Sequence, residues 1–228
     1  MKIKASLKSL TKLEWGLWIT SVLVICLSFF MGQVSILNIV SSLIGVTALI
    51  FISKGNVLGQ ILIVIFSVFY GIISVAFKYY GEMITYMFMT APIAILSVIS
   101  WIKNPYQEKE VRISKVTLKQ ILVMIFLSIV ITVIFYFILQ YLKTENLIIS
   151  TISITTSFIA GYLTYLRSPY YALGYAANDI VLIILWILAT INDFSYFPMV
   201  LCFVMFLFND LYGFYNWQKM EKKQNINS

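Results

Sequence analysis

The chain contains no histidine, and Lys, Arg, Asp and Glu together make up only 11% of its 228 residues. The lack of histidine excludes imidazole metal sites, His-based catalytic triads and His proton relays. The two cysteines, Cys26 and Cys202, lie in apolar stretches and are expected to fill the core rather than to form a disulfide. No Walker-type Gly-Lys-Ser/Thr loop is present, so nothing indicates ATP use. Neither a metal nor a cofactor is predicted.

Apolar residues dominate the chain, with 61% hydrophobic content and continuous runs near 20 residues, which excludes the soluble classes. The sequence predicts an all-α polytopic membrane protein with about eight transmembrane helices. The basic N-terminus precedes an apolar run without an A-x-A cleavage pattern, so the first helix is expected to be retained. The predicted spans are 15–33, 35–53, 57–77, 82–101, 117–141, 147–166, 170–190 and 195–217.

The basic residues are distributed very unevenly about these spans. Of the 16 Lys and Arg residues, all but Lys78 and Lys143 fall on one side. The positive-inside rule therefore predicts a multi-pass membrane protein with both termini in the cytoplasm. The net charge of +7 is then explained by anionic lipid at the cytoplasmic face rather than by nucleic acid. Trp101 and Trp217 fall at predicted span ends, as an interfacial aromatic belt would place them.

The two halves of the chain share short glycine-containing motifs and a tryptophan at a separation of 115 or 116 residues. Since four spans separate equivalent points, the sequence predicts two parallel three-helix bundles joined by a linker helix (3+1+3), plus an extra N-terminal helix. The small residues are expected to let helices pack closely within each bundle. The matching positions are Ser41-x-x-x-Gly45 and Ser157-x-x-x-Gly161, Leu58-Gly59 and Leu173-Gly174, and Trp101 and Trp217.

This organisation divides the chain into five regions. Residues 1–34 form the cytoplasmic N-terminus and extra helix, and 35–101 form the first bundle. Residues 102–146 form a cytoplasmic loop and the linker helix, 147–217 the second bundle, and 218–228 a cytoplasmic tail. Pro92 and Pro198 are expected to kink one helix in each bundle, which would provide hinges for a rocking motion.

Polar side chains in the predicted spans are the candidate functional residues. A carboxylate at membrane depth costs several kcal/mol unless it faces a cavity or a partner, so it marks a transport path or a structural polar lock. Helical spacing groups these side chains into stripes that could line one cavity, suited to a flat heteroaromatic ring, including a cationic one. The stripes consist of Asn178, Asp179 and Trp186; Asn209, Tyr212 and Asn216; and Gln60 and Tyr70. Hydrogen bonds between helices are the alternative for each polar residue, with Asp179 and Asp210 as polar locks.

Several segments resemble the PnuC family of nicotinamide riboside transporters. The most specific are 167–179 with Trp186, and Asn209-Asp210-Leu211-Tyr212-Gly213-Phe214-Tyr215-Asn216-Trp217; 90–92 and 100–105 resemble Gram-positive members. The resemblance implies a SWEET-like 3+1+3 fold and uptake of nicotinamide riboside by facilitated diffusion. A cytoplasmic riboside kinase would trap the product by phosphorylation. The resemblance also implies a ligand held by Trp and Asn or Gln side chains, here Trp186, Asn209, Asn216 and Gln60.

Other functions stay open at this point. Relatives on the same fold carry thiamine or riboflavin, and this chain has Leu96-Ser97-Val98 where many members carry an aromatic cluster. An intramembrane enzyme would need Asp179 and Asp210 as a pair, but neither lies in a recognisable protease motif, so an enzyme is not predicted. A binding-only subunit would serve a separate energising module, which the internal duplication disfavours. Association with copies of the same chain is left open.

Overall fold

The computed structural model describes residues 10–28, 36–76, 80–107 and 110–226, and these residues are almost entirely helical. The long helices are α1 (Lys12–Ser28), α2 (Ile36–Ser53), α3 (Val57–Ala76), α4 (Tyr80–Lys103), α5 (Leu118–Tyr141), α6 (Leu147–Tyr165), α7 (Tyr171–Asn192) and α8 (Phe197–Ile226). Two short strands, β1 (Pro105–Tyr106) and β2 (Glu110–Val111), pair antiparallel, and a 3₁₀ turn (Phe194–Tyr196) precedes α8.

Each predicted span corresponds to one of these helices. Within the described residues, α2 to α8 are long and apolar enough to cross a bilayer. The described part of α1 has 17 residues, at the short end of the spanning range. The predicted end of the first span, at residue 33, lies outside the described residues. The chain is therefore an all-α polytopic membrane protein, as its sequence predicts.

Six of the helices pack side by side into a closed ring in the order α2, α3, α4, α6, α7, α8 and back to α2. The helices α2 to α4 form one half of the ring, and α6 to α8 form the other. The remaining two lie outside: α5 packs against α6, and α1 packs against α8 and α2. The ring leaves α5 largely bare, since most of its apolar residues are exposed and would face lipid.

Apart from Lys143, the basic residues that the structure describes gather at one end of the ring, called here the basic end, where Lys54, Arg112 and Arg167 lie. The β-hairpin binds there through backbone hydrogen bonds from Val111 to Gly55 (2.9 Å) and from Ser114 to Arg167 (3.1 Å). The side chain of Gln224 clamps the same segment, accepting from the Ile113 amide and donating to the Val111 carbonyl. These contacts explain why α8 continues past its predicted end at residue 217 to Ile226.

The two prolines act differently from one another. A π-helical stretch, Thr85–Thr90, interrupts α4 just before Pro92, whose ring cannot donate to the preceding turn. The wider turn accommodates that missing hydrogen bond and changes the direction of the side chains that precede it. Pro198 is the second residue of α8, where a missing N–H costs little, so the expected kink at this position is wrong.

Two of the repeat glycines, Gly45 and Gly161, pack across the seams between the halves, whereas Gly59 and Gly174 pack against helices of their own half. A Cβ on Gly45 would collide with Phe206 of α8, and a Cβ on Gly161 would come within 2.9 Å of Ile93 in α4. The expectation that Gly45 and Gly161 pack closely within their own bundles is therefore corrected, because their tightest neighbours belong to the other half. The seams α2–α8 and α4–α6 need these glycines because bulky residues face them.

Candidate functional site

A small cavity lies on the inside of the ring, with a volume of about 40 Å³. Five of the six ring helices contribute to its wall. Its polar lining consists of Thr90, Tyr175, Asn178, Asp179 and Asp210, and its apolar lining of Leu49, Ile52, Ile63, Phe66, Phe206 and the ring of Tyr86. The cavity thus combines aromatic faces with one amide and two carboxyl groups.

A layer of aromatic rings closes the cavity toward the end opposite the basic end. The indole N–H of Trp186 donates to the Tyr70 hydroxyl at 3.1 Å, and both side chains are buried. The ring of Tyr70 contacts Tyr86 at 4.3 Å and Phe203 at 5.9 Å between centroids. We call the Tyr70–Trp186 pair with Tyr86 and Phe203 the outer closure.

A second aromatic layer closes the cavity toward the basic end. The rings of Trp101 and Trp217 lie 5.4 Å apart, and Tyr171 packs on Trp217 at 4.7 Å. Each indole N–H donates across a seam, from Trp101 to the Thr164 carbonyl (3.0 Å) and from Trp217 to the Ile52 carbonyl (2.8 Å). We call this trio the basic-end closure. The expectation that Trp101 and Trp217 form an interfacial belt is wrong, because both are fully buried.

Both closures join residues at equivalent positions of the two halves. Tyr70 and Trp186 are 116 residues apart, and so are Trp101 and Trp217. Equivalent residues of two parallel repeats meet only where the axis relating the repeats passes. The axis therefore runs through both closures, and the cavity lies between them.

The cavity is closed at both ends in this conformation. Its volume of about 40 Å³ holds no more than a water or two, whereas sites for small organic ligands measure roughly 300–1,000 Å³. A vitamin-sized molecule can enter only if the ring helices separate. The geometry is that of an occluded state with a preformed polar lining.

Three polar side chains of α7 and α8 meet at the cavity wall. The carboxyl groups of Asp179 and Asp210 lie within hydrogen-bonding reach of each other. Two carboxylates this close repel, so the pair attracts a proton or a cationic ligand. The Oδ1 of Asn178 accepts from Thr156 (2.8 Å) and Ser157 (2.9 Å) of α6, which leaves the amide nitrogen to face other partners.

The α3 stripe also points inward. Gln60 is buried with no partner for its Nε2, and Ser67 is buried with no partner for its hydroxyl among the described residues. They share a helix face, as their seven-residue spacing predicts, and Tyr70 lies beside that face. Neither borders the small cavity as it stands, but unpaired buried amides and hydroxyls are groups that an entering ligand could satisfy.

The α8 stripe faces away from the cavity. Asn209 donates to Ser21 of α1 (3.1 Å), and Asn216 donates to the Ser53 carbonyl of α2 (2.7 Å). The Tyr212 hydroxyl donates to Glu14 (2.9 Å), which also accepts from Lys54 (3.0 Å). These three predicted ligand residues therefore tie α8 to α1 and α2, while Asp210 on the neighbouring face reaches the cavity.

Several lining residues have no signal in the sequence. Tyr86 and Phe206 lie in predominantly apolar runs, and Thr90 stands out only as part of the segment 90–92. The direction of these side chains depends on the π-helical stretch and on the Gly45 seam. Among the described residues, no group of three or more Cys, Asp or Glu side chains is placed to hold a metal ion.

Comparison with known proteins agrees with this architecture. The model of the nicotinamide mononucleotide transporter family matches residues 35–219. A nicotinamide riboside transporter PnuC of Neisseria mucosa is 28% identical over 193 residues, covering 82% of this chain and 73% of that protein. The PnuC of Haemophilus influenzae is 24% identical, covering 83% and 82%. A crystal structure of the vitamin B3 transporter PnuC superposes with a TM-score of 0.82 over 95% of this chain and 94% of that one, at 24% identity. The chain thus belongs to the nicotinamide mononucleotide transporter family, the family of the PnuC proteins.

Proposed function

We propose that this transporter imports nicotinamide riboside into the bacterial cytoplasm. The observation that carries the proposal is the chemistry of the ring interior, where aromatic faces surround the Asp179–Asp210 pair. Among the described residues no Lys or Arg is buried, so the interior favours a cation. Nicotinamide riboside carries a flat pyridinium ring with a fixed positive charge, and the named relatives are transporters of this compound.

The interior disfavours the mononucleotide that gives the family its name. Nicotinamide mononucleotide carries a phosphate, which needs Arg, Lys or several amide donors to replace its hydration. Beside Asp179 and Asp210 a buried phosphate would meet repulsion instead. We therefore take the riboside, and not its phosphate, as the substrate.

The proposed site combines the cavity with the inward face of α3. The pyridinium would stack among Trp186, Tyr70 and Tyr86 once the outer closure opens. Asp179 with Asp210 would balance its charge, while Asn178 and Gln60 would bind the carboxamide or ribose groups. Asn209, Tyr212 and Asn216 are not part of this proposed site, because their hydrogen bonds run to α1 and α2.

The proposed mechanism is passive. The two closures would open in turn as the halves of the ring rock about the shared axis. The basic end would face the cytoplasm, with both termini there, as the positive-inside rule predicts. No energy source is needed if a cytoplasmic riboside kinase removes the product, so we propose facilitated diffusion and no enzymatic activity. Association of copies of the chain into a homo-oligomer is left open and is not required by this mechanism.

Calorimetry on the purified protein in detergent tests the substrate. We expect micromolar binding of nicotinamide riboside and none of nicotinamide mononucleotide or riboflavin at the same concentrations. Thiamine is the sharpest comparison because it is also cationic. Preferential binding of thiamine would keep the cationic site and overturn the substrate. Binding of the mononucleotide as tight as that of the riboside would contradict the charge argument.

A further inference from the structure

Glu82 is a third carboxyl group inside the ring, away from the Asp179–Asp210 pair. It lies in the first turn of α4, near the end opposite the basic end, and is only 1% exposed. Its Oε1 accepts from the Ser153 hydroxyl of α6 at 3.1 Å. Its Oε2 is buried and has no hydrogen-bond partner among the described residues.

The position of Glu82 is beside the outer closure. It precedes Tyr86 by four residues, about one helical turn, so it lies further from the basic end than the cavity does. Its carboxyl group is close enough to the hydroxyls of Tyr70 and Tyr86 to interact electrostatically with both. A molecule that passed the opened closure would therefore meet Glu82 before it met Asp179 and Asp210.

The packing of α4 on α6 does not explain the acidic side chain. Glutamine at residue 82 would accept the same hydrogen bond from Ser153 and would leave no acid unpaired at membrane depth. A buried carboxyl group is costly unless it has a cationic or protonated partner. No buried Lys or Arg among the described residues supplies one. Among the described residues, this oxygen is thus an acceptor without a partner, and it can accept a cation that enters the ring.

We propose that Glu82 selects for positive charge at the outer closure, where its Oε2 pairs with the pyridinium of an entering substrate before the Asp179–Asp210 pair receives it. This inference rests on the proposed function and narrows it. The route would admit permanently cationic heteroaromatic nucleosides and discriminate against neutral ones of the same size and shape. Two acidic sites, Glu82 at the closure and the Asp179–Asp210 pair at the cavity, lower the free-energy cost of desolvating the cation along its path.

The experiment compares two forms of one molecule. Nicotinamide riboside is cationic, whereas its 1,4-dihydro form is neutral and nearly equal in size. Initial uptake of each is measured at one pH in liposomes containing the full chain, as wild type, Glu82→Gln, Glu82→Asp or Ser153→Ala. Glu82→Gln keeps the acceptor for Ser153 and loses the acid, whereas Ser153→Ala loses the hydrogen bond and keeps the acid. The amount of folded protein is matched by size-exclusion chromatography.

Glu82→Gln is expected to slow uptake of the cation about tenfold and to leave uptake of the neutral form within about twofold. Glu82→Asp and Ser153→Ala are expected to retain the preference for the cation. If the wild type takes up only the cation, the same tenfold loss in Glu82→Gln, with Ser153→Ala close to wild type, supports the proposal. Equal wild-type uptake of both forms, or unchanged cation uptake in Glu82→Gln, would overturn it and leave the proposed function standing. A wild type that takes up no nicotinamide riboside would instead remove the proposed function and this inference with it.

Discussion

Trp186 and Tyr70 form the contact that separates the cavity from the end opposite the basic end. In the proposed mechanism, opening of this closure would release the indole N–H that binds the Tyr70 hydroxyl, and both rings would then be available to a flat cation. Large aromatic side chains that change partners between two states contribute to binding and to gating together. Most of the binding free energy for the ligand is therefore expected to come from this pair.

Trp186→Ala is expected to raise the Kd for nicotinamide riboside at least about 30-fold, because truncating an aromatic anchor costs about 2 kcal/mol or more. Calorimetry measures the effect. Trp18→Ala is the matched control, since Trp18 donates to Thr47 and lies on α1, outside the ring. Asn209→Ala is a second control. It is expected to leave the Kd within about threefold and to lower the free energy of unfolding by about 1–3 kcal/mol, because it removes the bond to Ser21. Equal loss of binding in Asn209→Ala would restore that residue to the site.

Helical spacing alone determines which residues share a face, but not what that face meets. The sequence groups Asn209, Tyr212 and Asn216 correctly, and the structure keeps them on one side of α8. That side meets α1, whose Ser21 and Glu14 supply the partners. The neighbouring residue Asp210 faces the cavity instead. The position of α1 outside the ring therefore decides which stripe of α8 faces α1 and which faces the cavity, and no periodicity in α8 contains that information.

At the scale of the helices, the seams between the halves depend on glycine. Gly45 lies where α2 meets Phe206 of α8, and Phe206 also borders the cavity. The close approach at this glycine thus determines how far Phe206 reaches into the interior. The sequence repeat identifies Gly45 and Gly161 as equivalent, but the neighbours of each come from the other half and depend on the closed ring.

Gly45→Ala is expected to lower the free energy of unfolding by about 1–3 kcal/mol, because the added methyl group forces Phe206 to move within a tightly packed seam. Thermal unfolding in detergent measures the change. Gly16→Ala provides the matched control, since a Cβ at Gly16 would meet nothing within 4 Å. That variant is expected to gain up to about 1 kcal/mol from helix propensity. A Gly45→Ala protein as stable as Gly16→Ala would show that the seam is loose.

The eight helices could be predicted because each is an apolar run of spanning length, and polar or helix-breaking residues separate the runs. The π-helical stretch in α4 could not be predicted, although Pro92 marks its neighbourhood. Proline forbids one hydrogen bond, and a kink or a wider turn can each satisfy that constraint. The choice between them fixes the direction of Tyr86 and Thr90, and hence the cavity lining.

At the scale of the whole molecule, the ring is closed at both aromatic layers and built around one axis. A passive carrier needs such an occluded state between two open ones, and it needs no site for an energising reaction. The offset of 116 residues predicts the axis, since Tyr70 with Trp186 and Trp101 with Trp217 meet on it. The sequence could not predict how small the cavity between these layers is, because its volume depends on how closely the halves approach.

Uptake of labelled nicotinamide riboside into liposomes that contain only the purified protein, with no proton or sodium gradient, tests the central claim most directly. We predict saturable uptake that stops when the internal and external concentrations are equal, and no uptake of nicotinamide mononucleotide. Empty liposomes and liposomes with Trp186→Ala serve as controls. Uptake that requires an imposed ion gradient, or that accumulates substrate above the external concentration, would contradict a passive carrier.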